Sequence, residues 1–121
     1  MKITDKIKSH EDACKHLNRE PLNEQELLEK GFTPQEIIGR KLETITEALN
    51  EGKKLDIYSN DRRWFPVFWT GASPSGFSFG GSDYDNSNAI AGCGSRFCYV
   101  SEELSGYSGK QFIDLWREFI Q

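Results

Sequence analysis

From Arg62 to Trp69 the chain reads Arg-Arg-Trp-Phe-Pro-Val-Phe-Trp, four aromatic residues and a valine within six positions between two polar, turn-rich borders. A short run this rich in aromatic side chains predicts a strand over 64–69. Pro66 removes one ladder donor, which assigns that strand to an edge or a bulge. One strand has no stability alone, so the rest of the chain must supply both a pairing neighbour and a cover for its apolar face.

Upstream, cap residues and apolar spacing predict three helices. Ser9 stands before Glu11 and Asp12, an N-cap followed by acids that complement the helix dipole, and Ala13, Cys14 and Leu17 form the stripe that ends near Asn18. A second helix runs from Asn23 to about Lys30 with Leu27 and Leu28 inward and Gly31 as its stop. The third has the fullest signature: Thr33 as cap, Pro34 at the first helical position and Glu36 as capping-box partner. Ile38, Leu42, Ile45 and Leu49 follow on one face, with Ile37 and Ala48 widening it, as far as Asn50 and a stop at Gly52. Arg40 and Lys41 share its surface with Glu36, Glu43, Glu47 and Glu51, the mark of a solvated face rather than of a DNA recognition helix.

Downstream, Leu55 to Tyr58 reads as a short extended piece and Ser59-Asn60-Asp61 as a turn. Phe77 and Phe79 alternate with Ser78, predicting a strand over 76–80, and residues 80–94 form a long polar connection. A third strand is predicted over 96–100, apolar on both faces. Ser101 opens a helical turn that Gly106 interrupts, and a final helix from Ser108 or Gly109 carries Phe112, Leu115, Trp116 and Phe119 on one stripe. The expected architecture is one α+β domain over 1–121. Residues 1–54 are helical; 55–121 hold a three-stranded antiparallel sheet in meander order with the C-terminal helix packed on one face.

With 121 residues and fifteen aromatics the chain has material for a core, and no apolar run approaches the ~18 residues of a membrane span. The first eight residues lack the apolar segment of a signal peptide, and Cys14, Cys93 and Cys98 are odd in number, so a reducing, cytoplasmic setting is expected. The net charge of -4 is unevenly laid out: between Trp64 and Ser95 there is no basic residue, only Asp83 and Asp85.

Motifs that carry catalysis or cofactors fail on spacing. The stretch beginning Asp83-Tyr-Asp85 starts like a calcium loop but has Asn88 where the sharp turn needs glycine and Gly94 where a chelating carboxylate belongs. Gly106-Tyr-Ser-Gly109-Lys110-Gln111 has two residues rather than four between its glycines and no hydroxyl after the lysine, so it is no phosphate loop. His10 and Cys14 lie one helical turn apart, but Cys93 and Cys98 are poorly spaced to complete a zinc site. Cys93 has only His10 and His16 as possible bases, both distant in sequence, and Ser73 lacks the glycine frame of a nucleophile elbow. No catalytic residue, metal or cofactor is expected.

What remains is binding. Aromatic strands stack single-stranded bases when a cationic groove accompanies them; here Arg62, Arg63, Arg96 and Lys110 would have to supply the field from the margins. The candidate binding residues are Trp64, Phe68, Phe77, Phe79, Arg96 and Lys110. Their charge setting favours a non-enzymatic module for an as yet unidentified protein partner over the alternative, a single-stranded nucleic-acid binder.

Two stretches carry a resemblance: Lys41-Leu-Glu-Thr-Ile-Thr-Glu-Ala-Leu-Asn-Glu-Gly52 and Gly94-Ser-Arg-Phe-Cys-Tyr-Val-Ser-Glu-Glu-Leu-Ser-Gly-Tyr-Ser-Gly-Lys-Gln-Phe112. With the aromatic strand between them, they resemble a family of small uncharacterised proteins of bacteriophages and prophages of gut Bacteroidetes. The chain departs from that pattern at Lys53, where the family often has tryptophan, and at Val100, where it has lysine. The resemblance implies a mobile-element accessory protein and no residue-level role.

Overall fold

The computed structural model describes residues 2–56, 58, 61–71, 73–85 and 95–121. It is an α+β fold of six helices and a two-stranded antiparallel sheet among the described residues. The helices are α1 (Ile3–Lys6), α2 (His10–His16), α3 (Glu24–Glu29), α4 (Pro34–Leu49), α5 (Glu102–Gln111) and α6 (Ile113–Ile120). The strands are β1 (Arg63–Trp69) and β2 (Ser78–Asp85).

Local chemistry sets the helix starts. Ser9, Asn23 and Ser101 accept from the backbone N–H three residues on, at 3.1, 3.1 and 3.2 Å, and Thr33 and Glu36 close the reciprocal capping box of α4. Behind that cap Ile37, Leu42, Ile45, Ala48 and Leu49 are buried, and the last four meet Ile7, Ala13, Phe97, Tyr99, Phe112 and Trp116 in one core. Ile38, predicted on the stripe with Leu42, Ile45 and Leu49, is only partly buried against that core.

β1 and β2 pair from Arg63↔Asp85 to Trp69↔Ser78. The second strand begins two residues later than the predicted 76–80 and continues to Asp85, through what the sequence reads as connection. Val67 faces Gly81 while Phe68 faces Phe79, so Gly80 is the extra residue of a bulge. The bulge needs glycine here: Gly81 has φ +122°, where a side chain is strained.

The predicted third strand over 96–100 is not a strand. Ser95–Phe97 forms a 3-10 turn, and only Tyr99 pairs with β1, exchanging both backbone hydrogen bonds with Trp64. The far side of this segment is occupied by a side chain: Asn50, at the C-cap of α4, donates to the Cys98 carbonyl and accepts from the Val100 N–H, both at 3.0 Å. Its carboxamide stands where a further strand's backbone would be. Phe97, Cys98 and Tyr99 are all buried because the segment passes under α4 rather than lying on a sheet surface.

The C-terminal region also departs from expectation. Gly106 does not interrupt anything; α5 runs through it, and the break falls at Phe112 (φ -110°, ψ 29°). α5, not the apolar α6, lies against the hairpin. A Cβ on Gly109 would stand 2.4 Å from Phe79 Cδ1 and 3.0 Å from Pro66 Cβ, so the glycine permits the close seating. α6 packs its stripe on α4 and on Phe97, and Trp116 reaches Phe68. Leu55 to Tyr58 forms no strand: Leu55 and Asp56 are irregular and Tyr58 is an exposed turn residue, while Ile57 lies outside the described residues.

Candidate functional site

The hairpin sorts its aromatics by parity. Trp64, Pro66 and Phe68 of β1 face the helices. Phe68 stacks on Phe77 with centroids 5.0 Å apart, meets the edge of Phe79 at 6.2 Å and touches Trp116 at 5.8 Å. Trp64 packs on the Tyr84 ring at 4.9 Å. The opposite parity, Phe65, Val67 and Trp69, makes the outer face, where Val67 is 38% and Trp69 67% exposed. Trp69 lies flat against backbone: a Cβ on Gly80 would come 2.8 Å from its indole nitrogen. Phe65 stands opposite Asp83, and Val67 opposite Gly81.

The six predicted binding residues therefore do not form one surface. Trp64 and Phe68 pack against the core, with Phe77 stacked on Phe68. Phe79 and Lys110 come together at a cleft between β2 and α5, the ammonium 5.5 Å from the ring centroid. Arg96 is elsewhere, paired with Glu43 at 3.0 Å and lying over Phe97. Of the two arginines that flank the strand in sequence, Arg62 stacks on Tyr84 at 4.4 Å. Arg63 is fully buried, opposite Asp85 in register and 3.5 Å from the Asp56 carbonyl. The exposed residues outside the predicted set are Val67 and Trp69; their signal is the alternation itself, since they share the parity opposite to Phe68.

Beneath the hairpin a buried hydroxyl chain joins α4, Tyr99 and the C-terminal helices. Trp116 Nε1 is 3.1 Å from Ser108 Oγ, Ser108 Oγ 2.6 Å from the Tyr99 hydroxyl, the latter 3.0 Å from Thr46 Oγ1, and Thr46 Oγ1 2.8 Å from the Leu42 carbonyl. The Tyr99 hydroxyl donates to Ser108 Oγ, which also accepts from the Trp116 indole N–H, and the Thr46 hydroxyl is the donor shared between the Tyr99 oxygen and the Leu42 carbonyl. Burial pushes the Tyr99 hydroxyl up to about 12, keeping it a neutral link. The chain is structural: it is closed to solvent at Tyr99 and Ser108.

His10 and Cys14 do meet, Nε2 to Sγ 3.3 Å, in a buried position on α2. Burial, then Lys41, lowers the imidazole pKa, against smaller opposing effects of Glu11 and Glu24; burial raises the thiol's. A neutral imidazole beside a protonated thiol is the reverse of an activated nucleophile. Cys98 is buried separately, and Cys93 lies outside the described residues. Among the described residues no group of three or more His, Cys, Asp or Glu is placed to hold a metal, and no helix is long and apolar enough to cross a membrane.

The histidine has a measurable consequence. Below its ordinary value of 6.5 the unfolded chain binds a proton at His10 that the folded chain resists, so stability present above that pH is lost as pH falls through the lowered folded-state value. The unfolding free energy should decline from pH 7.5 to pH 5 with a His10 contribution of at most about 1.4 kcal/mol per pH unit. Urea unfolding across that range should show a flatter pH profile in His10→Gln than in the parent.

Comparison of the chain with protein-family models, with curated proteins and with solved structures returns no match.

Proposed function

We propose that this chain is a non-enzymatic protein-binding module that docks its partner on the outer face of the hairpin. The carrying observation is the parity split: the inner aromatics are spent on the core, while Trp69 and Val67 stay exposed beside Phe65. A tryptophan held flat on glycine backbone has already given up much of its rotamer freedom, which lowers the cost of using it as an anchor. Asp83 rims this face, and the sequence from Trp64 to Ser95 contributes no cation. Charge complementarity therefore selects a partner with an apolar centre and a basic rim.

The same features weigh against single-stranded nucleic acid, which needs unspent cations beside open aromatic faces. The resemblance to phage and prophage proteins suggests the setting, an accessory protein acting in the cytoplasm on a phage or host protein.

The test is affinity capture from bacterial lysate with the parent and with Trp69→Ser, followed by rebinding of the captured protein in purified form. Loss of an anchor tryptophan should weaken that purified complex by a factor of about 30 or more, with stability unchanged to within about 1 kcal/mol. Equal affinity of Trp69→Ser, or tight, salt-dependent binding of an oligothymidylate by the parent, would overturn the reading.

A further inference from the structure

We infer a second binding site, remote in composition from the hairpin face, that takes an acidic peptide segment carrying an aromatic residue. A cleft of about 620 Å³ opens between the first half of α4, the 95–97 turn and the end of α6, and no hairpin residue lines it. Gly39, Phe97 and Phe119 line it between charged walls, the two rings 5.2 Å apart. The glycine makes this arrangement possible: a Cβ at position 39 would stand 2.9 Å from Phe119 Cε1. The volume is in the range of ligand sites and holds a few residues of extended chain.

The wall charges decide the ligand. Glu36, Arg40, Glu43 and Arg96 sum to zero, so the cleft exerts no strong long-range pull. They differ in what they already hold. Glu36 accepts the Thr33 N–H at 3.1 Å and Glu43 pairs with Arg96 at 3.0 Å. The Arg40 guanidinium alone of these four charged groups has no carboxylate or hydrogen-bond partner among the described residues; it rests 4.7 Å over the Phe32 ring. That stacking leaves the edge of the planar fork open to a carboxylate, the geometry for which arginine is suited. A carboxylate on Arg40 beside an aromatic side chain on the half-buried Phe119 ring, which Phe97 backs from below, satisfies both features at once. An acidic residue next to Phe in an extended segment supplies that pair, with the segment's ends leaving through the open mouth.

The experiment uses the ¹⁵N-labelled 121-residue chain and the peptide acetyl-Ser-Asp-Phe-Asp-Leu-Ser-amide, followed by amide chemical shifts. Saturable shifts are expected at Gly39, Arg40, Arg96, Phe97 and Phe119. A charge-assisted hydrogen bond sets the contrast: Arg40→Gln, or the peptide with Asn for Asp, should bind about tenfold more weakly or worse. Trp69→Ser should leave the titration unchanged, which separates this site from the hairpin face. Absence of shifts at these amides with millimolar peptide, equal binding of the neutral peptide, or an Arg40→Gln titration matching the parent would overturn the assignment. Phenylacetate binding as tightly as the peptide would overturn the peptide as occupant.

Discussion

Asn50→Ala should cost about 2–4 kcal/mol, because it strips partners from two backbone groups at once and each buried orphan costs roughly 1–3 kcal/mol. The Cys98 carbonyl loses its donor and the Val100 N–H its acceptor, and Cys98 is fully buried, so water does not replace the lost bond there. With a urea m-value of about 1.5 kcal/mol/M, typical of a domain this size, the midpoint should fall by roughly 1.3–2.7 M. Asn50→Asp should be no rescue: it keeps the acceptor for Val100 but offers the Cys98 carbonyl no donor and introduces a buried charge. Both variants should also loosen the Tyr99–Trp64 bridge, since the segment is held from its two sides by Asn50 and by β1. A midpoint within 0.3 M of the parent (about 0.5 kcal/mol at that m-value) would show that the carboxamide is not what holds this segment.

Gly109→Ala and Gly106→Ala should move stability in opposite directions although they sit one turn apart on the same helix. Helix propensity favours both by up to about 1 kcal/mol. At Gly106 the new methyl meets only Phe79 Cζ, at 3.9 Å, an ordinary contact, so the propensity gain stands. At Gly109 it falls 2.4 Å from the Phe79 ring and 3.0 Å from Pro66 Cβ. The ring cannot swing away without leaving its contact with Phe68, so overpacking of about 1–3 kcal/mol outweighs the propensity gain. Gly109→Ala is therefore expected to lose about 1–2 kcal/mol and Gly106→Ala to gain about 0.5–1 kcal/mol, read as midpoints in parallel urea titrations. Two shifts of the same sign would contradict the seating of α5 on the hairpin.

What was legible in the sequence follows the range of the interactions. The caps at Ser9, Asn23 and Thr33 act over three residues, so α2, α3 and α4 were readable in place. The 64–69 run was readable as a strand, and its pairing with the next aromatic run followed from nearness in the chain. Residues 96–100 misled because alternation of apolar residues reports burial, and the backbone partner that makes a strand was supplied across 48 residues of chain by Asn50, a side chain. Gly106 misled because a glycine within a helix reads as a stop, whereas here the helix carries it past the hairpin. Arg63 looked like an exposed flank to the strand and is buried opposite Asp85. Residue type alone groups Trp64, Phe68, Phe77 and Phe79 as one surface. Alternation separates Phe68 from Trp69, but which parity faces the core depends on α5 and α6, whose docking no local pattern encodes.

The sorting of aromatics between two faces decides where a partner can dock, and the chain's three tryptophans sample it. Trp69 lies on the outer face at 67% exposure, Trp64 on the inner face partly covered by Tyr84, and Trp116 in the core at 5%. Incorporating 5-fluorotryptophan gives one ¹⁹F signal for each, assigned by single Trp→Phe variants, and a soluble paramagnetic agent relaxes each in proportion to its contact with solvent. Strong relaxation is expected for Trp69, weaker relaxation for Trp64 and near-complete protection for Trp116. Relaxation of Trp64 equal to or greater than that of Trp69 would mean that the inner aromatic face is open, which would contradict the proposed docking face and return the hairpin to a base-stacking role.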